Sequence, residues 1–260
     1  MIKRFLTGLF LSAMLVSCKT SAPETVYSNP DSPVIANDIS NQRISSFAED
    51  AQGHIWIGTF RGLNRFTVHE FHQHFCTDAE NSLPDNQIQC LFKDSKDRLW
   101  VSTVNGVALY TDKDDFKRIP MESMNRNSVQ IFEDKSGRIF INTSTSLCVY
   151  DEQQEKFVNA APEGTALGDC FITPDNDLLI ATSFDIRRYD PGNMEVRDTV
   201  ALNYFPGNFT MMPDGELWMT SYAGVSIFDT SSSSFPEVSC IRQAPFVLKG
   251  GNHVNLPIWT

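Results

Sequence analysis

Apolar and polar residues alternate with period two through a succession of short runs. The first is Ile44-Ser45-Ser46-Phe47-Ala48-Glu49; Ile88-Gln89-Cys90-Leu91-Phe92 and Val129-Gln130-Ile131-Phe132-Glu133 are its counterparts. Such alternation predicts strands with one face buried. Each run leads into a turn, at residues 50–53, 94–97, 134–137, 174–177 and, in shorter form, 213–215. Asp suits the opening of such turns because it accepts backbone N–H bonds, and Gly or Asp near the close tolerates positive φ. A second run follows, centred on a large residue: Ile55-Trp56-Ile57-Gly58-Thr59, Leu99-Trp100-Val101-Ser102-Thr103, Ile139-Phe140-Ile141-Asn142-Thr143, Leu178-Leu179-Ile180-Ala181-Thr182 and Leu217-Trp218-Met219-Thr220-Ser221. Another tight turn separates it from a third run ending in Phe66, Tyr110, Tyr150, Tyr189 or Phe228. A looser fourth segment leads to the next unit.

The central residues stand at 56, 100, 140, 179 and 218, in steps of 44, 40, 39 and 39, with a sixth at Trp259. Four short antiparallel strands about every 40 residues predict the blades of an all-β propeller. One blade cannot bury both faces of its sheet. Blades packed round an axis can, with the large central residue filling each joint. A β-sandwich would not produce so regular a period.

The amino terminus reads differently. Lys3 and Arg4 precede a mostly apolar stretch, Phe5 to Val16. It is shorter than the roughly 20 residues needed to span a bilayer, and it fits a secretory signal. Leu15-Val16-Ser17-Cys18 resembles the lipobox of bacterial lipoproteins, which makes Cys18 the candidate lipidated residue. An ordinary signal peptide ending near a Cys is the alternative. Either way the chain is expected to be exported, as a periplasmic protein or a membrane-anchored lipoprotein. The division is a signal at 1–18, a tether at 19–43 rich in Ser, Thr, Pro and Asn, and repeats over 44–260. Net charge is −11, so the basic footprint that phosphate backbones demand is missing and nucleic acid is an unfavourable partner. Membrane contact is expected through a lipid anchor only. Cys76, Cys90, Cys148, Cys170 and Cys240 are odd in number and irregularly spaced, which argues against a complete disulfide framework and for buried thiols.

The repeat resembles that of the two-component regulator propeller family. Residues 49–66, Glu49-Asp50-Ala51-Gln52-Gly53-His54-Ile55-Trp56-Ile57-Gly58-Thr59-Phe60-Arg61-Gly62-Leu63-Asn64-Arg65-Phe66, carry the pattern closely, and Asn81 to Ile88 is similar to the family's linker between repeats. The fourth unit departs from it, with Leu179 for Trp and Phe184-Asp185-Ile186 for the Gly-Leu turn. The resemblance implies the extracytoplasmic sensor portion of hybrid histidine kinases of polysaccharide-degrading bacteria, and oligosaccharides as ligands. It implies no cofactor, and a histidine kinase chain or a missing carboxy-terminal half as partner. A seven-bladed ring takes about 280 residues at roughly 40 per blade. The five repeats and the start of a sixth therefore leave three options. The sensor is truncated or split, a partner chain closes the ring, or Val34 to Ile39 folds back as a strand to complete the last blade.

Propeller ligands commonly lie on one face over the axis. Here that face collects the turns after the Trp strands and the loops before the first strands. The candidate ligand-binding residues are Phe60, Arg61, Asn105, Phe184 and Tyr222, with Thr145, Asp185, Arg43, Gln87 and Asn127 beside them. Aromatic rings stack on sugar rings, while Arg and Asn bond hydroxyls and carboxylates; Arg61 would serve an acidic sugar. No catalytic or metal-binding residue is assigned. His69, His72 and His74 read as decoration of an outer strand, and Asp112, Asp114 and Asp115 as a solvated turn. A non-catalytic sensor is the leading reading. A propeller lyase or glycoside hydrolase, and a scaffold fragment, are the alternatives.

Overall fold

The computed structural model describes residues 33–111, 113–123, 129–160, 167–202, 206–213, 216–221, 224–228 and 239–241. Every element within them is a strand or a turn. The strands form five antiparallel sheets, one per repeat.

Blade 1 comprises β2 (Ile44–Glu49), β3 (Ile55–Thr59), β4 (Gly62–Thr67) and β5 (Glu70–His74). Blade 2 comprises β6 (Ile88–Lys93), β7 (Leu99–Thr103), β8 (Gly106–Tyr110) and β9 (Phe116–Ile119). Blade 3 follows with β10 (Gln130–Glu133), β11 (Ile139–Asn142), β12 (Leu147–Asp151) and β13 (Lys156–Asn159). Blade 4 holds β14 (Cys170–Ile172), β15 (Leu178–Ala181), β16 (Asp185–Tyr189) and β17 (Val196–Ala201). Blade 5 holds β18 (Pro206–Met211), β19 (Leu217–Ser221), β20 (Gly224–Phe228) and β21 (Ser239–Ile241).

A further strand, β1 (Val34–Ala36), lies within the segment read as tether. It pairs with β5 at the outer edge of blade 1, Ile35 opposite His72. The option of a strand completing the last blade is thereby corrected: these residues extend the first. The chain then crosses the upper part of blade 1's outward face. Ser40 N–H donates to Asn64 Oδ1 at 2.8 Å, and Gln73 Nε2 donates to the Asp38 carbonyl at 2.8 Å. The side chain of Asn64 explains this path, because it is fully buried and needs polar partners there. Trp259 and the sixth repeat lie outside the described residues.

In blades 1 to 3 the turn after the inner strand is built on a buried acid, Asp50, Asp94 or Asp134. Asp50 Oδ1 accepts the N–H groups of Gln52 and His54, both at 2.9 Å, and Oδ2 accepts the Trp56 indole N–H at 2.8 Å. Asp94 repeats this with Lys96, Arg98 and Trp100. Burial alone would raise these carboxyls; the Trp and backbone hydrogen bonds outweigh it and hold both below the usual range. In blade 3 the aromatic is Phe140, which has no N–H, and Asp134 Oδ2 instead accepts Arg138 Nε at 2.7 Å. In blade 4 the Thr173 hydroxyl accepts the Asp177 N–H at 3.0 Å in place of the acid.

The central residues of blades 1 to 4 pack into the next blade. Trp56 is clustered with Leu91, Leu99, Val101 and Phe116, and its ring meets Tyr110 edge-on at 4.6 Å. Trp100 meets Tyr150 at 4.9 Å and Phe157 at 5.7 Å. Phe140 and Leu179 enter blades 4 and 5 in the same way. Alternation along one strand thus assigns successive side chains to successive joints.

Inner strands are also stitched to one another. Ser46 Oγ accepts the Leu91 N–H at 3.0 Å, Gln130 Oε1 the Cys170 N–H at 3.1 Å, and Asp169 Oδ2 the Phe209 N–H at 2.6 Å. The Cys90 sulfur takes the backbone N–H of Ile131. The accepting side chain always lies ten residues before its blade's central residue, and the donating N–H nine before the next one.

Candidate functional site

The predicted face is formed by the turns between second and third strands and by the entries to the inner strands. A hydroxyl closes each of those turns. Thr59 Oγ1 donates to the Gly62 carbonyl at 2.7 Å, Thr103 to Gly106 at 2.8 Å, Thr143 to Ser146 at 3.1 Å, and Ser221 Oγ to Gly224 at 3.2 Å. Gly62 has φ 121°, and a Cβ there would lie 2.8 Å from the Phe75 ring. Only glycine accepts that backbone beside that neighbour.

These brackets present the intervening side chains outward. Phe60 is half-buried, and its N–H donates to the Arg43 carbonyl at 3.0 Å. The Arg43 guanidinium carbon lies 4.0 Å from the Phe60 ring centroid, a cation–π pair at the rim. Arg61 beside it is exposed, and its backbone N–H donates to Thr59 Oγ1 at 3.1 Å. Asn105 is exposed on blade 2, where Val104 N–H donates to the Gln87 carbonyl at 3.2 Å. It lines a cavity of about 300 Å³ with Pro84, Val107, Ile119, Pro120 and Met121. Phe184 is 58% exposed on blade 4, and its carbonyl accepts the Leu202 N–H at 2.7 Å. Asp185 is turned inward, onto Thr182 Oγ1 and onto Arg187 at 3.1 Å. Tyr222, Asn127 and Cys18 lie outside the described residues.

A second cleft on the same face was not foreseen. It spans blades 3 to 5 beside the axis, encloses about 410 Å³ and is lined by Gln130, Asn142, Gly168, Asp169 and Asn208 among others. Asn142 Nδ2 donates to the Gly168 carbonyl at 2.5 Å. Burial raises the Asp169 carboxyl above the usual range against the hydrogen bonds from Phe209 and Cys170. Polar residues ten before the central position were the available signal. Neither cleft is lined by Phe60, Arg61 or Phe184.

The histidines do not converge. His69 lies in the turn between β4 and β5, and His72 Nε2 is 3.2 Å from Glu70. His74 does not decorate the outer strand. It is buried between blades 1 and 2, stacked on Trp56 at 5.4 Å and edge-on to Phe116 at 5.3 Å. The inner end of β5 is roofed by blade 2, which the alternating pattern alone did not disclose. Asp114 likewise belongs to this joint and not to a solvated turn: it pairs with Arg65 at 2.8 Å and accepts the Tyr110 hydroxyl at 3.1 Å. Burial pushes the Tyr110 hydroxyl up to about 12. Cys76, Cys90, Cys148 and Cys170 form no disulfide among the described residues; burial raises Cys90 to about 11 and Cys170 further.

Residues 38–61 and 82–105 match the two component regulator propeller family. These stretches are the entry, inner strand and Trp strand of blades 1 and 2. No curated protein matches the chain in sequence. Among solved structures, the extracellular domain assigned to hybrid two component system BT3049 of B. thetaiotaomicron superposes with TM-score 0.64 and 18% identity, over 78% of this chain and 31% of that one. The extracellular domain assigned to one component system BT4673 of the same organism gives 0.61 and 17%, over 76% and 30%. Virginiamycin B lyase of Staphylococcus aureus gives 0.60 and 15%, over 76% and 71%. The chain thus spans about a third of the two extracellular domains. What all three share with it is the propeller fold.

Proposed function

We propose that this chain is the ligand-sensing propeller of an exported two-component receptor, non-catalytic, and that it binds an oligosaccharide on the rim carrying Phe60, Arg61 and Asn105. One observation carries the reading. Two successive units have the two component regulator propeller pattern, and the first presents a half-buried aromatic between two exposed arginines, Arg43 and Arg61. A flat apolar ring flanked by guanidinium forks suits a sugar bearing a carboxylate. Phe184 extends the stacking surface in this reading, and Tyr222, singled out from the sequence alone, is proposed to join it. Cys18 anchors the chain to a membrane outside the cytoplasm, and a kinase-bearing polypeptide reads the bound state.

The test is thermal unfolding with neutral and uronate-containing oligosaccharides. Ligand bound only by the native state raises the midpoint, by about 2.7 kcal/mol of stability at a hundredfold excess over Kd. A uronate oligosaccharide is expected to raise it, Arg61→Ala to lose most of the shift, and Phe60→Ala to weaken neutral and acidic sugars alike. Absence of any shift across both sugar classes overturns the proposal, and so does turnover of the sugar.

A further inference from the structure

The cleft beside Asn105 has a chemistry of its own. At about 300 Å³ it stands at the small end of ligand cavities, too small for a whole oligosaccharide. Its deepest lining residues are Val107 and Ile119, at most 5% exposed. Pro84 and Met121, half-buried, and Pro120, exposed, line it nearer solvent. The two prolines bring no N–H. The carbonyls of Gly106 and Pro120 are already taken, by Thr103 Oγ1 and by the Phe157 N–H, both at 2.8 Å. Arg118 also lines the cleft and is fastened to the opposite wall. Its Nε donates to the Ser82 carbonyl at 2.9 Å, and its Nη2 to Ser82 Oγ at 2.8 Å and the Leu83 carbonyl at 3.0 Å. The carboxamide of Asn105, exposed at the mouth, makes no hydrogen bond among the described residues.

The same bonds set the walls in advance. Arg118 holds residues 82–84, and Phe157 of blade 3 holds residues 120–122 from the other side, its carbonyl accepting the Glu122 N–H at 2.9 Å. A cavity fixed before its ligand arrives spends little binding energy on ordering. What it accepts follows from its lining. An unsubstituted sugar ring would bring hydroxyls against walls with almost no partners to give, which costs free energy. A methyl group beside a carbonyl fits: the methyl buries apolar area, and the oxygen needs one donor, which a carboxamide supplies.

We propose that this cleft receives an acetyl group carried by the bound sugar, as an ester or an amide, with its methyl against Val107, Ile119 and Met121 and its oxygen accepting from Asn105 Nδ2. The inference rests on the carbohydrate reading above and adds a specificity to it. Pro84 stands two residues before Asn86, whose carbonyl accepts the Gly62 N–H at 2.7 Å immediately after Arg61. One linker therefore carries the cleft and braces the Phe60–Arg61 turn, so that a uronate at Arg61 and an acetylated neighbour at Asn105 belong to one oligosaccharide.

Two measurements on the full chain in mild detergent test this. The first is titration calorimetry with acetylated uronate oligosaccharides before and after mild alkali, which strips esters and spares amides and so names the linkage. The acetylated ligand is expected to bind about tenfold tighter than its unacetylated counterpart. Pro120→Trp, which fills the mouth, should bring that ratio close to one, and Arg61→Ala should weaken both ligands and keep the ratio. Circular dichroism checks that each variant folds. The second measurement needs no rim. In protein with methyl-labelled methionine, the Met121 signal, identified by its loss in Met121→Leu, is followed by NMR with N-acetylglucosamine, glucose bearing one acetate ester, and glucose. The acetylated sugars should move it and glucose should not. If glucose moves it as far, or no acetylated sugar moves it, the proposal is overturned, whatever binds at Arg61. An acetyl preference that survives Pro120→Trp overturns it as well. A Met121 shift without oligosaccharide binding would strike the rim reading and leave the acetyl cleft standing.

Discussion

His74 shows how much a single side chain depends on its joint. Burial lowers it to about 4, with the Asp114 carboxylate 4.0 Å away opposing and Arg65 reinforcing the shift. The imidazole is therefore neutral at pH 7 in the folded state, while the unfolded chain takes up its proton near 6.5. A folded value below the unfolded one means that stability is complete above pH 6.5 and falls as pH drops toward 4. The loss from this group is about 3 kcal/mol at the lower limit. Asp50 and Asp94, held below the ordinary carboxylate range, add their own losses only as pH falls below the usual carboxylate value of 3.8. Replacing His74 with Phe should flatten the stability profile between pH 6.5 and 4 and leave the steeper acid limb in place. A denaturant series at stepped pH measures both.

At the scale of the element, each blade is a repeat of local brackets joined by one long-range stitch. The turns need only their own residues: an acid or Thr before the second strand, a hydroxyl after it. The stitch needs the next blade. Gln130 both accepts the Cys170 N–H at 3.1 Å and donates to its carbonyl at 2.7 Å, acting as a piece of strand between β10 and β14. Gln130→Ala leaves both backbone groups without that partner, and should cost about 1–3 kcal/mol. Gln130→Glu keeps an acceptor but sets a carboxylate beside that of Asp169 and against the Cys170 carbonyl, so at neutral pH it should cost at least as much. Equilibrium unfolding in urea separates the two.

For the whole molecule, the cost of removing a central Trp should depend on its place in the array. Trp56 is enclosed by two blades, and its loss to Ala leaves a cavity worth about 3–5 kcal/mol. Trp218 has its own blade beneath it and is half-buried; the same change should cost under about 2 kcal/mol. Calorimetric midpoints of the two variants make the comparison. Equal losses would mean that blade 5 is covered as fully as blade 1 is on its Trp56 side.

The period of the chain, its turn acids and the Trp strands were all legible in the residues, because each rests on interactions within about 40 residues. So were the all-β class and the face that gathers Phe60, Arg61, Asn105 and Phe184. The burial of His74, the pairing of Asp114 with Arg65, the path of residues 34–43 over blade 1 and the cleft at Gln130, Asp169 and Asn208 were decided only by tertiary structure. In each of those, a side chain's environment is supplied by a neighbouring blade or a crossing segment. Alternation says that a residue points away from its own sheet, and only the packing of the next sheet says whether it meets water, a ring or an acid.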